Sequence, residues 1–439
     1  MKSDRRLPVA IIGGGFSGTI LAAQLARRGI DCALVDGSGR LGKGVAYSTT
    51  EPAHLLNVRA EGMSAWAGDP GHFAQHFEEQ GGDRRGFAQR RLFARYLAGI
   101  FEEAVASRHL EPIQRSAVSA QRRDGAWHVE LDDGSAIEAQ SVALAIGNQE
   151  PGSLPALAGA GDRYIANPWG SDAWSAVQDL AGSGGAALLV GTGLTMVDLV
   201  LSLDAAGHQG EIVAVSRRGL APRGHADFEP APVELKDVPH GNVGGLLRWL
   251  RERGAQVGWR AAIDSLRPHS QTLWQSLGTE QQKRFLRHAR PWWDVHRHRI
   301  APEVAATVAR LIAEGRLQVM AGRIVSASPR EDGLDVEVLR RGAAGPRRRS
   351  FAYAFNCTGP LHSIERTRDR LLRSLLDRGE VGPDALGIGL NVDENSRAGE
   401  RLWALGPLTK GNYWEIIAVP DIREQAALVA EDISREVDK

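Results

Sequence analysis

An α/β fold built twice on one plan is predicted by three observations: a glycine turn between an apolar strand and a helix, a second such turn near mid-chain, and a set of alternating strands behind each. In the first copy, residues 9–12 read as a strand, Gly13-Gly14-Gly15-Phe16-Ser17-Gly18 as a tight turn, and residues 19–28 carry helical apolar spacing until Gly29 stops them. Residues 30–35 are the next strand, which ends at Asp36, eighteen residues beyond Gly18. Each element has a physical reason. Gly13 permits the turn, Gly15 lets backbone N–H groups approach a pyrophosphate, and Gly18 lets the helix pack closely on its strand. The helix N-terminus then faces negative charge, and an acid at the end of the second strand accepts from ribose hydroxyls. This is a Rossmann-like dinucleotide-binding module.

Residues 117–147 read as a β-meander, with a strand at 127–131, a turn at Asp132-Asp133-Gly134, and strands at 136–140 and 141–147, the last ending on Gly147. The plan then recurs. Residues 186–190 are a strand, Gly191-Thr192-Gly193-Leu194-Thr195-Met196 a turn, 197–203 a helix, and 211–215 a strand ending in Ser216-Arg217-Arg218. Strands at 317–327, 334–339 and 350–355 follow, finishing at Asn356-Cys357-Thr358-Gly359-Pro360. Residues 220–305 lack the glycine and strand rhythm, carry helix signals with Trp249, Trp259, Trp274, Trp292 and Trp293, and read as a helical cap. The predicted architecture is therefore two Rossmann-like domains with β-meanders and a helical insertion. Residues 1–160 form the first part of one domain, 161–345 the second domain with its insertion, and 346–439 the return to the first.

Composition sets the outer limits. A chain of 439 residues exceeds what one core usually organises. Lys+Arg and Asp+Glu both total 53, so no overall field draws the protein to nucleic acid or anionic lipid. Cys32 and Cys357, the two cysteines, sit in apolar strand-like runs, which excludes a disulfide framework and fits a reducing cytoplasm. The first apolar stretch is too short for a signal peptide. The long apolar run at 186–203 contains Gly191, Gly193 and Asp198, and so reads as strand, turn and helix rather than a membrane span.

Six stretches together resemble the two-dinucleotide-binding-domain flavoproteins, and more narrowly a bacterial FAD/NAD(P)-binding family that includes flavin-dependent hydroxylases. They are Gly13 to Gly18; Gly42-Lys43-Gly44-Val45-Ala46-Tyr47 with His54-Leu55-Leu56-Asn57-Val58 and Met63-Ser64; Gly191 to Asp198; Pro291-Trp292-Trp293-Asp294-Val295-His296-Arg297-His298-Arg299; Asn356 to Pro360; and Leu405-Gly406-Pro407-Leu408 with Trp414-Glu415 and the segment from Ala418 to Arg423. The resemblance implies that Gly13, Gly15, Phe16, Ser17, Gly18 and Asp36 hold the ADP half of FAD. Val118 would lie by the adenine, and Tyr47 and Asn57 would approach the flavin end. Gly44, Gly147, Gly191, Gly193 and Gly359 are counted with the cofactor-binding turns. Many relatives of the wider fold carry Gly-Asp before the closing helix, whereas here Gly406 precedes Pro407. Flavin closure therefore rests on Gly406 and on backbone N–H groups near Ile422, at the start of the last helix.

The other candidates divide less sharply. His296 and His298 do not share a helix face, and no further ligands have suitable spacing, so a metal pair is not supported. A solvated segment and a contact to substrate or nicotinamide phosphate both stay open there, with Trp292, His296, Arg297 and Trp414 as substrate-contacting candidates. Trp66, Trp292, Trp293 and Trp414 either line a pocket over the flavin or pack in the core. Arg347-Arg348-Arg349 reads as a charged hairpin tip, and Ser17 belongs to the phosphate turn rather than to a hydrolase elbow. For the nicotinamide coenzyme, Arg217 stands where the first module has Asp36, and arginine forks pair with a 2′-phosphate that an acid repels. NADPH is thus favoured over NADH, with Arg217 as the contact.

The resemblance implies an FAD-dependent, NAD(P)H-using monooxygenase that hydroxylates a small amine, amino acid or nitrogen heterocycle through a flavin C4a-hydroperoxide, with oxygen as co-substrate. A reductase or dehydrogenase without oxygen transfer and a non-catalytic FAD-binding sensor are the alternatives. No side chain stands out in the sequence as a catalytic acid or base.

Overall fold

The computed structural model describes residues 6–437, and within them two sheets form, of eight and seven strands. In the first sheet β1 (Leu7–Ile12), β2 (Cys32–Val35) and β3 (Leu110–Ile113) run parallel. Helix α1 (Phe16–Ala26) crosses from β1 to β2 and is buried at every position but Gln24. Its apolar residues surround the axis, as suits a helix enclosed on all sides. It packs in one core with helix α2 (Arg90–Ala106), through Ile20, Leu21 and Leu97 among others.

The meander follows as β4 (Ala117–Arg123), β5 (Ala126–Leu131) and β6 (Ala136–Leu144). The sequence predicts a break after Gln140, and there is none. The first half of β6 pairs antiparallel with β5, from Glu130↔Ala136 to Trp127↔Ala139. Its second half continues the parallel ladder with β1, from Val9↔Ser141 to Ile12↔Leu144. Because the two ladders use opposite edges of the strand, one unbroken strand carries both.

The second sheet holds β7 (Tyr164–Ile165), β8 (Ala187–Val190), β9 (Ile212–Ser216), β10 (Leu317–Arg330), β11 (Gly333–Arg340), β12 (Arg347–Phe351) and β13 (Tyr353–Asn356), in the order β12-β11-β10-β9-β8-β13-β7. Helix α3 (Leu194–Ala205) links β8 to β9. Here the single strand expected at 350–355 is split at Ala352. Its amide donates to the Ala186 carbonyl at 2.8 Å, and a Cβ on Gly185 would lie 2.7 Å from the Ala352 methyl, so the chain turns a tight corner before β13 enters between β8 and β7.

Two expectations are corrected by this arrangement. Arg347, Arg348 and Arg349 are not a hairpin tip: they pair with Val338, Glu337 and Val336, while Arg349 reaches Glu211 at 2.6 Å and Arg348 reaches Asp335. The expected domain boundary at residue 345 falls inside the second sheet, which continues to Asn356. Only beyond it do Ile364, Leu371 and Leu372 join the core of the first domain.

Between β9 and Pro302 the insertion is helical, with segments Val243–Val257, Trp259–Ser265, Ser270–Ser276 and Thr279–Arg284, a π turn at Phe285–Ala289, and helix α4 (Arg290–Arg297). The chain closes with β14 (Arg397–Gly399) and β15 (Leu402–Ala404), which extend the first sheet beside β6, and with helix α5 (Val419–Val437). Cys32 and Cys357 are buried free thiols, and burial raises both pKa values, Cys32 to about 12. Among the described residues no helix is long and apolar enough to cross a membrane.

Candidate functional site

Both glycine turns end in a buried helix whose first N–H groups have no side-chain partner. Gly15 caps α1 and Gly193 caps α3, neither first turn contains an acid, and no side chain accepts from the free amides. Such a terminus offers convergent donors and positive dipole charge to an anion. The glycines differ in what they demand. Gly13 has φ +108°, and a Cβ there would lie 2.4 Å from the Ala145 carbonyl oxygen; one on Gly18 would lie 1.9 Å from that of Gly13. These two are required by the fold itself.

Gly15 and Gly193 are not. Gly15 sits at φ −77°, and a Cβ on it would meet only Gly44 Cα, at an ordinary 3.6 Å; at Gly193, φ −87°, a Cβ would touch nothing within 4 Å. Any residue fits the protein at either place, so the open space in front of both turns is what a glycine preserves. The chemistry of the donors and the shape of the cradles fit a dinucleotide pyrophosphate at each.

Around the first turn, Asp36 Oδ2 accepts the Gly14 amide at 2.6 Å and Oδ1 accepts the Ser38 amide at 2.7 Å, which fixes the carboxylate at the end of β2. Val118 is half-buried on β4, and Gly147, at φ +77°, follows β6 as Gly359, at φ +83°, follows β13. Gly406, at φ +63°, closes against α1: a Cβ there would lie 2.7 Å from Ser17 Oγ, and its amide donates to Gln425 Oε1 at 2.7 Å. Tyr47 packs edge-on to Phe93 at 4.7 Å, and the Asn57 carbonyl accepts from His225 Nε2 at 3.0 Å.

The amide of Ile422, expected to face the flavin, is committed elsewhere. It donates to the Ala418 carbonyl at 3.0 Å as the first turn of α5 forms, while the side chain is buried with Phe16.

The second turn opens into a cleft of about 670 Å³ lined by Gly191, Gly193, Arg217, Arg218, Arg323 and Gly359 among others. Met196, in place of a third glycine, is fully buried in the core under the turn. Arg218 Nη2 reaches the His288 carbonyl at 3.5 Å, and Arg217 is exposed. At the far side of the cleft, Arg290 contacts Asp294 at 3.2 Å and His362 at 3.3 Å and lies 5.9 Å over the Trp414 ring.

Helix α4 sorts its candidates by face. Trp292 is 49% exposed, and His296, one turn on, bonds the Trp292 carbonyl and packs against Trp259 at 5.0 Å. Neither points to the cleft, because i and i+4 share the outer face. Trp293 and Arg297 share the inner face instead, and both donate to Glu415, at 2.5 and 2.8 Å. Arg297 and Arg299 are buried, so the segment is not solvated. Trp414 stacks on Trp274 at 4.7 Å, whose Nε1 donates to Gly411 at 2.8 Å; these contacts seat the insertion on the loop that follows Gly406. Trp66 lies under Arg27 in the core of the first domain, away from these rings.

Several residues here have no role assigned to them by the sequence reading. Glu415 is buried at φ +70° with no periodic pattern to mark it, and Arg290, Arg323 and His362 come from three separate segments. Lys410, directly after the Gly406 turn, has its ammonium pushed down to about 8 by burial and then by Arg290.

Comparison with known proteins places this geometry. Residues 10–149 match the model of an FAD-NAD(P)-binding family. A Baeyer-Villiger monooxygenase (ATR8) of Stachybotrys chlorohalonatus is 27% identical over 210 residues, covering 45% of this chain and 32% of that protein, so the match spans about a third of the relative's length. L-lysine 6-monooxygenase from Pseudomonas syringae superposes with a TM-score of 0.67 at 17% identity, covering 98% of this chain and 99% of that one. Ornithine hydroxylase from Pseudomonas aeruginosa gives 0.66 at 13% identity over 98% and 99%. The chain carries an FAD/NAD(P)-binding segment at its N-terminus and has the fold of the two-dinucleotide-binding-domain flavoproteins.

Proposed function

We propose that this protein is an FAD-dependent monooxygenase that consumes NADPH and hydroxylates a small amine, amino acid or nitrogen heterocycle. The observation that carries the reading is the pair of open, uncapped glycine turns, one for each dinucleotide, with Arg290 on the wall of the second cleft and over the Trp414 ring. The two buried, unpaired thiols leave no redox dithiol for a disulfide reductase, and the likeness to amine hydroxylases supports oxygen transfer. The protein then acts in the cytoplasm as a soluble enzyme, without nucleic acid or membrane partners.

When bound, FAD would supply the redox chemistry, the transfer of electrons from the nicotinamide to dioxygen, of which one atom enters the substrate and the other leaves as water. The chain binds, orients and shields. The Gly15 turn and Asp36 hold the ADP half, the Gly193 turn and its neighbouring arginines hold the coenzyme, and the insertion covers the loop after Gly406, with Trp274 and Trp414 keeping water out. Val118 is assigned to the adenine, Tyr47, Asn57 and Gly406 to the flavin, and Arg297 to placing Glu415 and Trp414.

The test is to purify the protein, identify the released flavin, and follow NADPH and dioxygen consumption with small amines and amino acids. FAD rather than FMN, and a product heavier by one oxygen atom, are expected. Full turnover without dioxygen on another acceptor would replace this reading with the reductase one.

A further inference from the structure

The loop that follows β13 begins against the second glycine turn. A Cβ on Gly191 would lie 2.1 Å from the Cys357 carbonyl oxygen, and the wall of the cleft then runs through Thr358 and Gly359 to His362. The same loop meets the segment after Gly147, where the Leu361 amide donates to the Glu150 carbonyl at 3.2 Å. In the sheet β8 lies between β9 and β13, so Arg217, just beyond β9, and His362, beyond β13, stand on opposite flanks of the turn. A dinucleotide lies across the carboxyl ends of such strands with its pyrophosphate at the glycine turn. If Arg217 marks the flank of the adenosine 2′-phosphate, the flank beside the first domain receives the nicotinamide half.

His362 is set there as a donor. Its Nε2 lies 3.3 Å from Arg290 Nη2, and an arginine can only donate. Nε2 therefore carries the lone pair, and the proton of the neutral ring sits on Nδ1, for which no acceptor stands among the described residues. The ring stays neutral, because burial and then the charges of Arg290, Lys410 and Arg217 push it from its ordinary 6.5 down to about 3. Arg290 spends Nε on Asp294 at 3.2 Å and Nη2 on His362, and keeps Nη1 free. Asp294 is outnumbered: neither Arg217 nor Lys410 has an ion-pair partner among the described residues. A cleft with excess positive charge and unused donors from separate segments suits an anion with several oxygens, which is a phosphate.

We propose that Arg290 and His362 close on the phosphate of the nicotinamide half of the coenzyme, Arg290 with its guanidinium from α4 and His362 with Nδ1–H from the loop after β13. This rests on the reading of the second cleft as the coenzyme site, and it holds for a monooxygenase and a reductase alike. It also gives the insertion a part in binding. The inner face of α4 is fixed to Glu415 through Trp293 and Arg297, and the start of the same helix carries Arg290 to the cleft, so the phosphate next to the nicotinamide ribose is held from the side of the flavin loop.

The test is calorimetric titration of the FAD-loaded, oxidised full chain with NADP+, NAD+ and 2′,5′-ADP, which has the adenosine phosphates but no nicotinamide half. Arg290→Met and His362→Leu should each weaken NADP+ and NAD+ by the same factor, roughly tenfold for one charge-assisted contact, and leave 2′,5′-ADP unchanged. His362→Asn, whose side-chain amide places an N–H near the position of Nδ1, should recover most of that loss. Arg217→Ala should give the reverse pattern, with NADP+ and 2′,5′-ADP weakened and NAD+ unchanged. If Arg290→Met loses its flavin, the two His362 variants decide. Equal weakening of 2′,5′-ADP in the Arg290 and His362 variants would move both residues to the adenosine end and overturn the clamp. Wild-type affinity for NADP+ in His362→Leu would overturn it too, with the coenzyme reading of the cleft left standing. A wild type that binds neither NADP+ nor NAD+ removes that reading and the clamp together.

Discussion

Arg90 and Asp198 join the two domains through a bidentate ion pair, with Nη1 to Oδ2 at 2.9 Å and Nη2 to Oδ1 at 2.8 Å. Arg90 stands at the start of α2 in the first domain and Asp198 on α3 in the second. The side chains are only 14% and 9% exposed, and His54 Nε2 adds a contact to the Asp198 carbonyl at 2.9 Å. The pair therefore fixes the second glycine turn, which begins the same helix, relative to the first domain.

Breaking this pair should be costly. Asp198→Asn preserves shape but leaves the Arg90 charge buried without its partner, and we expect a loss of roughly 3 to 5 kcal/mol in urea unfolding. The double variant Arg90→Met/Asp198→Leu, which removes both charges, should recover most of it. A single variant as stable as the wild type would mean that the pair is solvated and does not lock the domains.

The two kinds of glycine give a matched pair of variants. Gly13→Ala puts a Cβ 2.4 Å from a backbone oxygen at φ +108°, so the fold itself should suffer. Gly15→Ala meets only Gly44 Cα at 3.6 Å, so the flavin-free protein should melt within a few degrees of the flavin-free wild type and yet retain little FAD. Wild-type flavin stoichiometry in Gly15→Ala, read by absorbance, would place the pyrophosphate elsewhere.

That contrast also marks what the sequence disclosed. Turns made of consecutive residues were legible, because a strand, a glycine spacing and a helix are local and set by backbone sterics. Where strands join or break was not. β6 runs unbroken and the 350–355 run splits at Ala352 because of partners distant in sequence, Val9 to Ile12 in one case and Ala186 in the other. The faces of α4 were equally hidden: Trp292 and Trp293 are adjacent, and only packing decides that the second one turns inward to Glu415. Glu415 itself is one acid in a loop, and its importance comes entirely from the side chains gathered on it.

Acid should weaken the protein through His225. Burial, and then the positive charges of Arg299 and Arg59, push this imidazole from its ordinary 6.5 down to about 4. The native state thus binds fewer protons than the unfolded chain between those values, and stability should be fully present above about pH 6.5 and fall as pH drops toward 4. In His225→Gln that part of the pH dependence should vanish, so the gap between urea midpoints at pH 7 and pH 4.5 should be smaller than in the wild type. An equal gap would assign the acid sensitivity to other groups.

The choice of coenzyme should reside at the end of β9. Arg217, Arg218 and Arg323 all line the cleft before the second glycine turn, whereas the first module carries Asp36, held by the Gly14 amide, at the end of its second strand. Arginine pairs with a 2′-phosphate and an acid would repel one, so NADPH should be preferred over NADH. The three arginines are not equivalent. Arg218 spends part of its fork on the His288 carbonyl at 3.5 Å, whereas Arg217 is exposed and has the freedom to close on a ligand. A charge-assisted contact contributes about 1.5 to 3 kcal/mol, or roughly ten- to a hundredfold in affinity. Because Arg218 and Arg323 remain to share the phosphate charge, Arg217→Ala should fall near the lower end, with the KM for NADPH raised about tenfold and that for NADH nearly unchanged. Arg217→Ala/Arg323→Ala should lower the preference further, toward equal use of the two coenzymes. Equal losses for NADPH and NADH in the single variant would show that Arg217 holds a part common to both, the pyrophosphate or the adenine, and the 2′-phosphate would then have to be recognised elsewhere in the cleft.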